Sequence, residues 1–168
     1  MKKKKIDPEK IILSGLRIIK ASFEINADHM DDQQVIDNIN IGLKSESAFN
    51  FEEKNHRFRL FFKVTGREGE ESKMVCEADY GIEFHYHIEN LEDFLIKDDE
   101  MPGCYSVDGA LGATIAGISY STSRGIILER TQTTDFRGVI LPVIDPGKLL
   151  QGDSYSNMNT AKPGNTDQ

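Results

Sequence analysis

The sequence predicts an α+β fold, a four-stranded antiparallel sheet followed by a long helix packed on it. Two patterns and a stop signal carry that prediction. Residues 16–88 contain four runs in which apolar and polar side chains alternate, the period of strands with one face on a core. From 109 to about 131 the period changes to that of a helix, and Pro142 and Pro146 then bar any further helix.

The first strand is "LRIIKASFEIN", followed by the polar loop "ADHMDDQQ". In "DNINIGLKSESAFNF" Ile39, Ile41 and Leu43 alternate with polar neighbours, and "EEKN" turns the chain into the third strand. That strand, "NHRFRLFFKVTG", sets Phe58, Leu60, Phe62 and Val64 on one face, with Phe61 out of pattern. "REGEES" makes a hairpin into "MVCEADYGIEFHYHI". There Met74, Cys76, Ala78, Tyr80, Ile82, Phe84, Tyr86 and Ile88 point inward. Val75, Glu77, Asp79, Gly81, Glu83, His85 and His87 point outward. Asp108 is the expected N-cap of the helix, whose apolar stripe reads Leu111, Ile115, Ile118, Thr122 and Ile126. Glycines at 109, 112, 117 and 125 cost a helix about 1 kcal/mol each, which points to packing that needs small side chains. "VILPVIDP" then runs extended. The division is a basic segment with a short helix over 1–15, a folded domain over 16–150 and a disordered polar tail over 151–168.

Composition narrows the function. The net charge is −8, and four of the 20 basic residues stand at 2–5, leaving 16 against 28 acidic ones. So acidic a body repels phosphate backbones, which argues against nucleic acid. The apolar residues after the lysines are interrupted by Asp7, Pro8, Glu9 and Lys10, so no secretory signal is read, nor any membrane span. Cys76 and Cys104 are too few for a disulfide framework, and a cytoplasmic protein with reduced thiols is expected.

Catalytic motifs are weak. Glu83, His85 and His87 could bind zinc or iron, as a metalloenzyme would require. Alternate residues on one strand stand about 7 Å apart and do not converge without a bulge, so a solvated polar face is the competing reading. Neither cysteine has a local partner that would lower its pKa. The run Asp98, Asp99, Glu100 reads as a solvated loop, and no phosphate-loop or dinucleotide fingerprint occurs. A non-enzyme without cofactor is expected. What remains is apolar surface at 126–128 and 139–144, which either marks a partner site or folds back as core.

Four segments resemble the protein-export chaperone SecB and its relatives: "IKASFEIN", "VCEADYGIEF", "SYSTSRG" and "LPVIDPGKLL". Their order and spacing span 16–150. The resemblance implies a non-catalytic homotetramer, a dimer of dimers, that holds unfolded client polypeptides in apolar grooves. It also implies small helix residues at the oligomer interface: Gly112, Ala113, Ala116 and Gly117. Tyr80, Phe84, Tyr86, Tyr120 and Ile127 are the expected groove lining, with core packing as their competing role. Glu24, Val75 and Glu77 match the face on which the motor SecA docks. Lys20 replaces an acid of that face, the first loop lacks a tryptophan, and 126–137 holds an insertion. These departures resemble divergent members that guard an antitoxin or another dedicated client.

Overall fold

A computed structural model describes residues 5–27, 36–68, 73–97, 101 and 104–150, and the backbone of 155–159. Strands β1 (Ile11–Ile25), β2 (Asn38–Asn50), β3 (Asn55–Glu68) and β4 (Lys73–Ile88) are followed by a small hairpin of β5 (Leu95–Lys97) and β6 (Tyr105–Val107). Helix α1 (Gly109–Thr131), the four-residue α2 (Pro146–Leu149) and a last strand β7 (Tyr155–Asn159) complete the chain. The main sheet has the order β1-β4-β3-β2-β7 and every pairing in it is antiparallel. The polar loop 28–35, the hairpin tip 69–72, the acidic run 98–100 and the remainder of the tail lie outside the described residues.

Alternation explains the sheet. The inward set of β2, β3 and β4, from Ile39 through Ile88, is buried and meets Leu111, Ile115, Ala116, Tyr120 and Ile127 of α1. Phe61, out of pattern on paper, has a use on the outer face. It lies opposite Gly81, its ring within 3.2 Å of where a Cβ would stand, and shields that gap in the central strand.

Asp108 caps α1 through its side chain, which accepts from the Ala110 amide at 2.8 Å. The buried stripe departs from the expected one. It steps by four residues through Leu111, Ile115, Ser119, Ser123, Ile127 and Thr131, while Ile118 is exposed. Hydroxyls tolerate that burial because each finds an oxygen. Ser123 and Thr131 donate to the carbonyls four residues back, and Ser119 meets the Tyr86 hydroxyl at 2.8 Å.

Three boundaries differ from the sequence reading. Strand β1 begins at Ile11, so the N-terminal helix is only a 3-10 turn, Pro8–Lys10. The tail expected to be disordered contributes β7, which pairs with β2. A register shift between Gly66 and Arg67 turns the start of β4 over, burying Val75 and exposing Met74.

Candidate functional site

The five residues expected to line a groove lie in the core instead. Tyr80, Phe84, Tyr86, Tyr120 and Ile127 are all buried between sheet and helix. Tyr120 donates its hydroxyl proton to the Pro142 carbonyl at 2.8 Å, and Tyr86 bonds Ser119, so both polar tips are satisfied inside. Aromatic residues on a strand's inward face report core before they report ligand.

Two of the small residues of α1, Gly112 and Gly117, make room for this chain's own C-terminal segment. Gly138, at φ +97, reverses the direction after the helix. Residues 139–150 then return along α1 as a strap. Val139 donates its amide to Thr131 Oγ1, and Arg124 Nε donates to the Leu141 carbonyl. Further on, Pro146 lies 3.4 Å and Leu150 2.8 Å from where Cβ atoms on Gly117 and Gly112 would stand. Gly112 and Ala116 are therefore buried within one chain, while Ala113 and Gly117, expected with them at an oligomer interface, are half-buried. The 126–128 and 139–144 runs divide by side: Ile127, Val139 and Leu141 are core, whereas Ile140 and Val143 face outward. The insertion supplies the helix's last turn and Phe136, which packs edge-on against Phe23 at 5.7 Å.

On the sheet's outer face Glu83 is fully buried. It accepts from Arg17, from Arg59 Nε at 2.6 Å and from His85 Nε2 at 2.8 Å. The Arg17 hydrogen bond, with those of His85 and Arg59, holds its pKa down at about 2 against the cost of burial. His87 turns away to Asn55 Oδ1 at 3.1 Å. Glu83 and His85 therefore meet, but the carboxylate is already saturated with donors. Among the described residues no group of three His, Cys, Asp or Glu is placed to hold a metal.

The rest of that face is cross-linked by ion pairs, Lys20 with Asp79 at 3.0 Å and Lys63 with Glu77 at 2.9 Å. Glu24 and Glu77 are direct cross-strand partners, as their shared outward position requires, and Val75 is not with them. Lys20 and Lys63 neutralise much of the acidity of that face. Cys76 is buried, and desolvation with the nearby Asp135 pushes its thiol up to about 11, so it is a poor nucleophile; Cys104 is exposed.

Two apolar surfaces were missed. Strand β1 is an edge strand on which Ile12, Leu13, Leu16, Ile18, Ile19 and Ile25 are between 36% and 43% exposed. Leu13, Leu16, Ile18 and Ile25 pair with inward residues of β4, so they belong to the core face, yet α1 lies over β3 and β4. The signal is legible in "IILSGLRII", apolar on both sides of its Ser14-Gly15 break and extending N-terminal to Leu16. The second surface is an aromatic end. Phe49 stacks on Phe51 at 6.0 Å and on His56 at 3.8 Å, and Phe51 meets Tyr105 edge-on at 6.3 Å. These residues come from two hairpins, and only the fold brings them together.

No protein-family model matches the sequence. No curated protein matches it either. Solved structures do. One is a SecB-like chaperone of Mycobacterium tuberculosis in complex with a peptide from an antitoxin. It aligns with a TM-score of 0.51 at 10% identity, over 82% of this chain and 92% of that one. Another is a protein of unknown function from Streptococcus agalactiae, with a TM-score of 0.41 and 11% identity over 79% and 97% of the two chains. The fold is SecB-like, with the four strands and long helix in the order that the resemblance implied.

Proposed function

We propose that the chain is a cytoplasmic molecular chaperone that binds unfolded or extended polypeptide through apolar surface, without catalysis or cofactor. The observation that carries this reading is the uncovered aromatic end of a SecB-like fold, where Phe51 and Tyr105 are exposed, while the sheet's charged groups are spent on one another. Apolar contact gives about 25 cal/mol per Å² buried and little sequence preference, as a holder of unfolded chains needs.

We further propose a homotetramer, a dimer of dimers. Among the described residues strand β1 has a free edge and a bare core face, and Ile118 and Gly125 lie on the side of α1 away from the sheet. A second copy would cover both, and no lone protein benefits from leaving six large apolar side chains on one edge strand exposed.

Two destinations for clients remain, delivery to the SecA motor for export and dedicated protection of one client such as an antitoxin. The Lys20–Asp79 and Lys63–Glu77 pairs and the burial of Val75 favour the dedicated client. The antitoxin peptide held by the mycobacterial chaperone agrees with it. Light scattering coupled to size exclusion, with and without a reduced, slow-folding polypeptide, tests the reading. A tetramer that binds the unfolded chain is expected of a general holder, and a tetramer that ignores it points to a dedicated client. A monomer that ignores it overturns the chaperone reading.

A further inference from the structure

We propose that the outer edge of β2 is a strand-acceptor site for an extended polypeptide, and that Tyr155–Asn159 of the chain itself is its resident, displaceable occupant. The proposal rests on the chaperone reading and adds to it the seat and its competitor. Strand β2 pairs with β3 from Asn38 to Asn50. Its other edge takes β7 only at Asn40, Ile41 and Leu43, with an irregular step between the last two. Beyond Leu43 that edge has no strand partner among the described residues.

The occupant is a poor strand on its own merits. "YSNMN" is rich in Asn and Ser, which strands disfavour, so the edge is holding it by main-chain pairing. Unpaired backbone amides and carbonyls of an edge strand accept whatever extended segment is near. Nearness is provided by the fold. The strap brings Leu149 beside β2, where its carbonyl accepts from the Ser45 hydroxyl, and only residues 150–154 separate it from β7. A tether that short gives an effective concentration of about millimolar, enough to seat a weak strand.

A longer guest has more to gain than the tail has. Strand β7 runs antiparallel with Tyr155 at Leu43, so it stops six positions, about 20 Å, short of Phe49. A guest in the same direction reaches the Phe49, Phe51 and Tyr105 cluster with residues N-terminal to its paired stretch. Phe51 and Tyr105 are 38% and 43% exposed there. The preferred ligand is an extended segment of about ten residues with an apolar or aromatic anchor about six residues before its paired part. Tail and guest compete for the pairing positions, and the anchor contact is the guest's alone.

The test uses the full chain carrying Asn157→Pro with Met158→Pro. Consecutive strand amides point to opposite edges, so one of the two prolines must remove a donor facing β2. The probe is reduced, carboxamidomethylated α-lactalbumin. Freeing a seat that is occupied about nine-tenths of the time tightens apparent affinity about tenfold. The double-proline variant should therefore bind the probe roughly 3- to 10-fold more tightly, in proportion to that occupancy. Amide exchange at 40–43 should quicken in the variant and slow again when the probe is added. A synthetic peptide of residues 151–168 should displace the probe, and Phe51→Ala should weaken probe binding without changing exchange at 40–43. Equal or weaker binding by the variant, with the probe still bound by the wild-type chain, overturns the displaceable tail and leaves the chaperone reading standing. Binding by neither form overturns both.

Discussion

Glu83 holds a negative charge with no water contact, and the sheet allows this only because Arg17 on β1 and Arg59 on β3 reach it from either side. Its pKa lies near 2, below the ordinary 4.5. A lowered carboxylate stabilises the fold fully above the unfolded value and loses that contribution as pH falls from about 4.5 through about 2. Glu83→Gln should cost about 1–2 kcal/mol at pH 7, since both arginines reach solvent and soften the loss. The gap from wild type should close in urea melts between pH 4.5 and 2. His56 works in a different window. Buried beside Phe49, with Nε2 bonded to Ser47 at 2.8 Å and Nδ1 unpartnered, it is driven by desolvation to a pKa of about 4. The unfolded chain therefore takes up a proton first, and stability falls as pH drops from 6.5 toward 4, by about 2 kcal/mol at pH 5. His56→Phe should flatten the profile in that window at little cost at pH 7, because the exposed Ser47 can turn to water. An undiminished slope between pH 6.5 and 5 would show that another group titrates.

Helix α1 carries glycines of two kinds. Gly112 and Gly117 admit the strap, whereas a Cβ on Gly125 would meet nothing within 4 Å. Gly125→Ala should therefore raise stability by about 0.5–1 kcal/mol. Gly66 is the opposite case, its missing Cβ enclosed by Cys76 Sγ at 2.8 Å, Ile36 at 3.0 Å and Phe136 at 3.1 Å. Gly66→Ala should cost about 1–3 kcal/mol by overpacking. Chemical denaturation of the pair reads both signs at once. At this scale the sequence was most legible. Four strands and a capped helix follow from period and from Asp108, since both depend on neighbours along the chain. The bulge after Gly66 was not legible, because alternation continues on paper while an extra residue turns Val75 inward. Nor was the stripe's change to Ser119 and Ser123, since a buried serine becomes tolerable only when Tyr86 from another element arrives beside it. The strap was half legible: its prolines foretold an extended path, but whether 139–144 covered the helix or faced a partner depended on where Gly138 turned the chain.

The molecule as a whole has an imbalance between its edges. At the β2 edge β7 pairs with part of the strand, whereas among the described residues β1 presents a free edge, a bare core face and aliphatic side chains on both sides. A long flat apolar edge is an aggregation hazard that natural sheets cover or charge, and here Arg17 and Lys20 are the only charges between Ile11 and Phe23. A second copy, seating its own apolar layer on Leu13, Leu16 and Ile18, would remove the hazard symmetrically. Leu16→Glu with Ile18→Glu places two carboxylates on that face without disturbing residues that α1 covers. The double variant should run as the 18.9 kDa monomer by light scattering while keeping its far-ultraviolet dichroism. Wild type should run at a multiple of that mass. If the variant keeps the wild-type mass, the copies meet elsewhere, and the exposed side of α1 around Ile118 and Gly125 becomes the place to cut next. If wild type is itself a stable, soluble monomer, β1 is free to receive clients directly, and adding the charges should then abolish binding of an unfolded chain while leaving the mass unchanged.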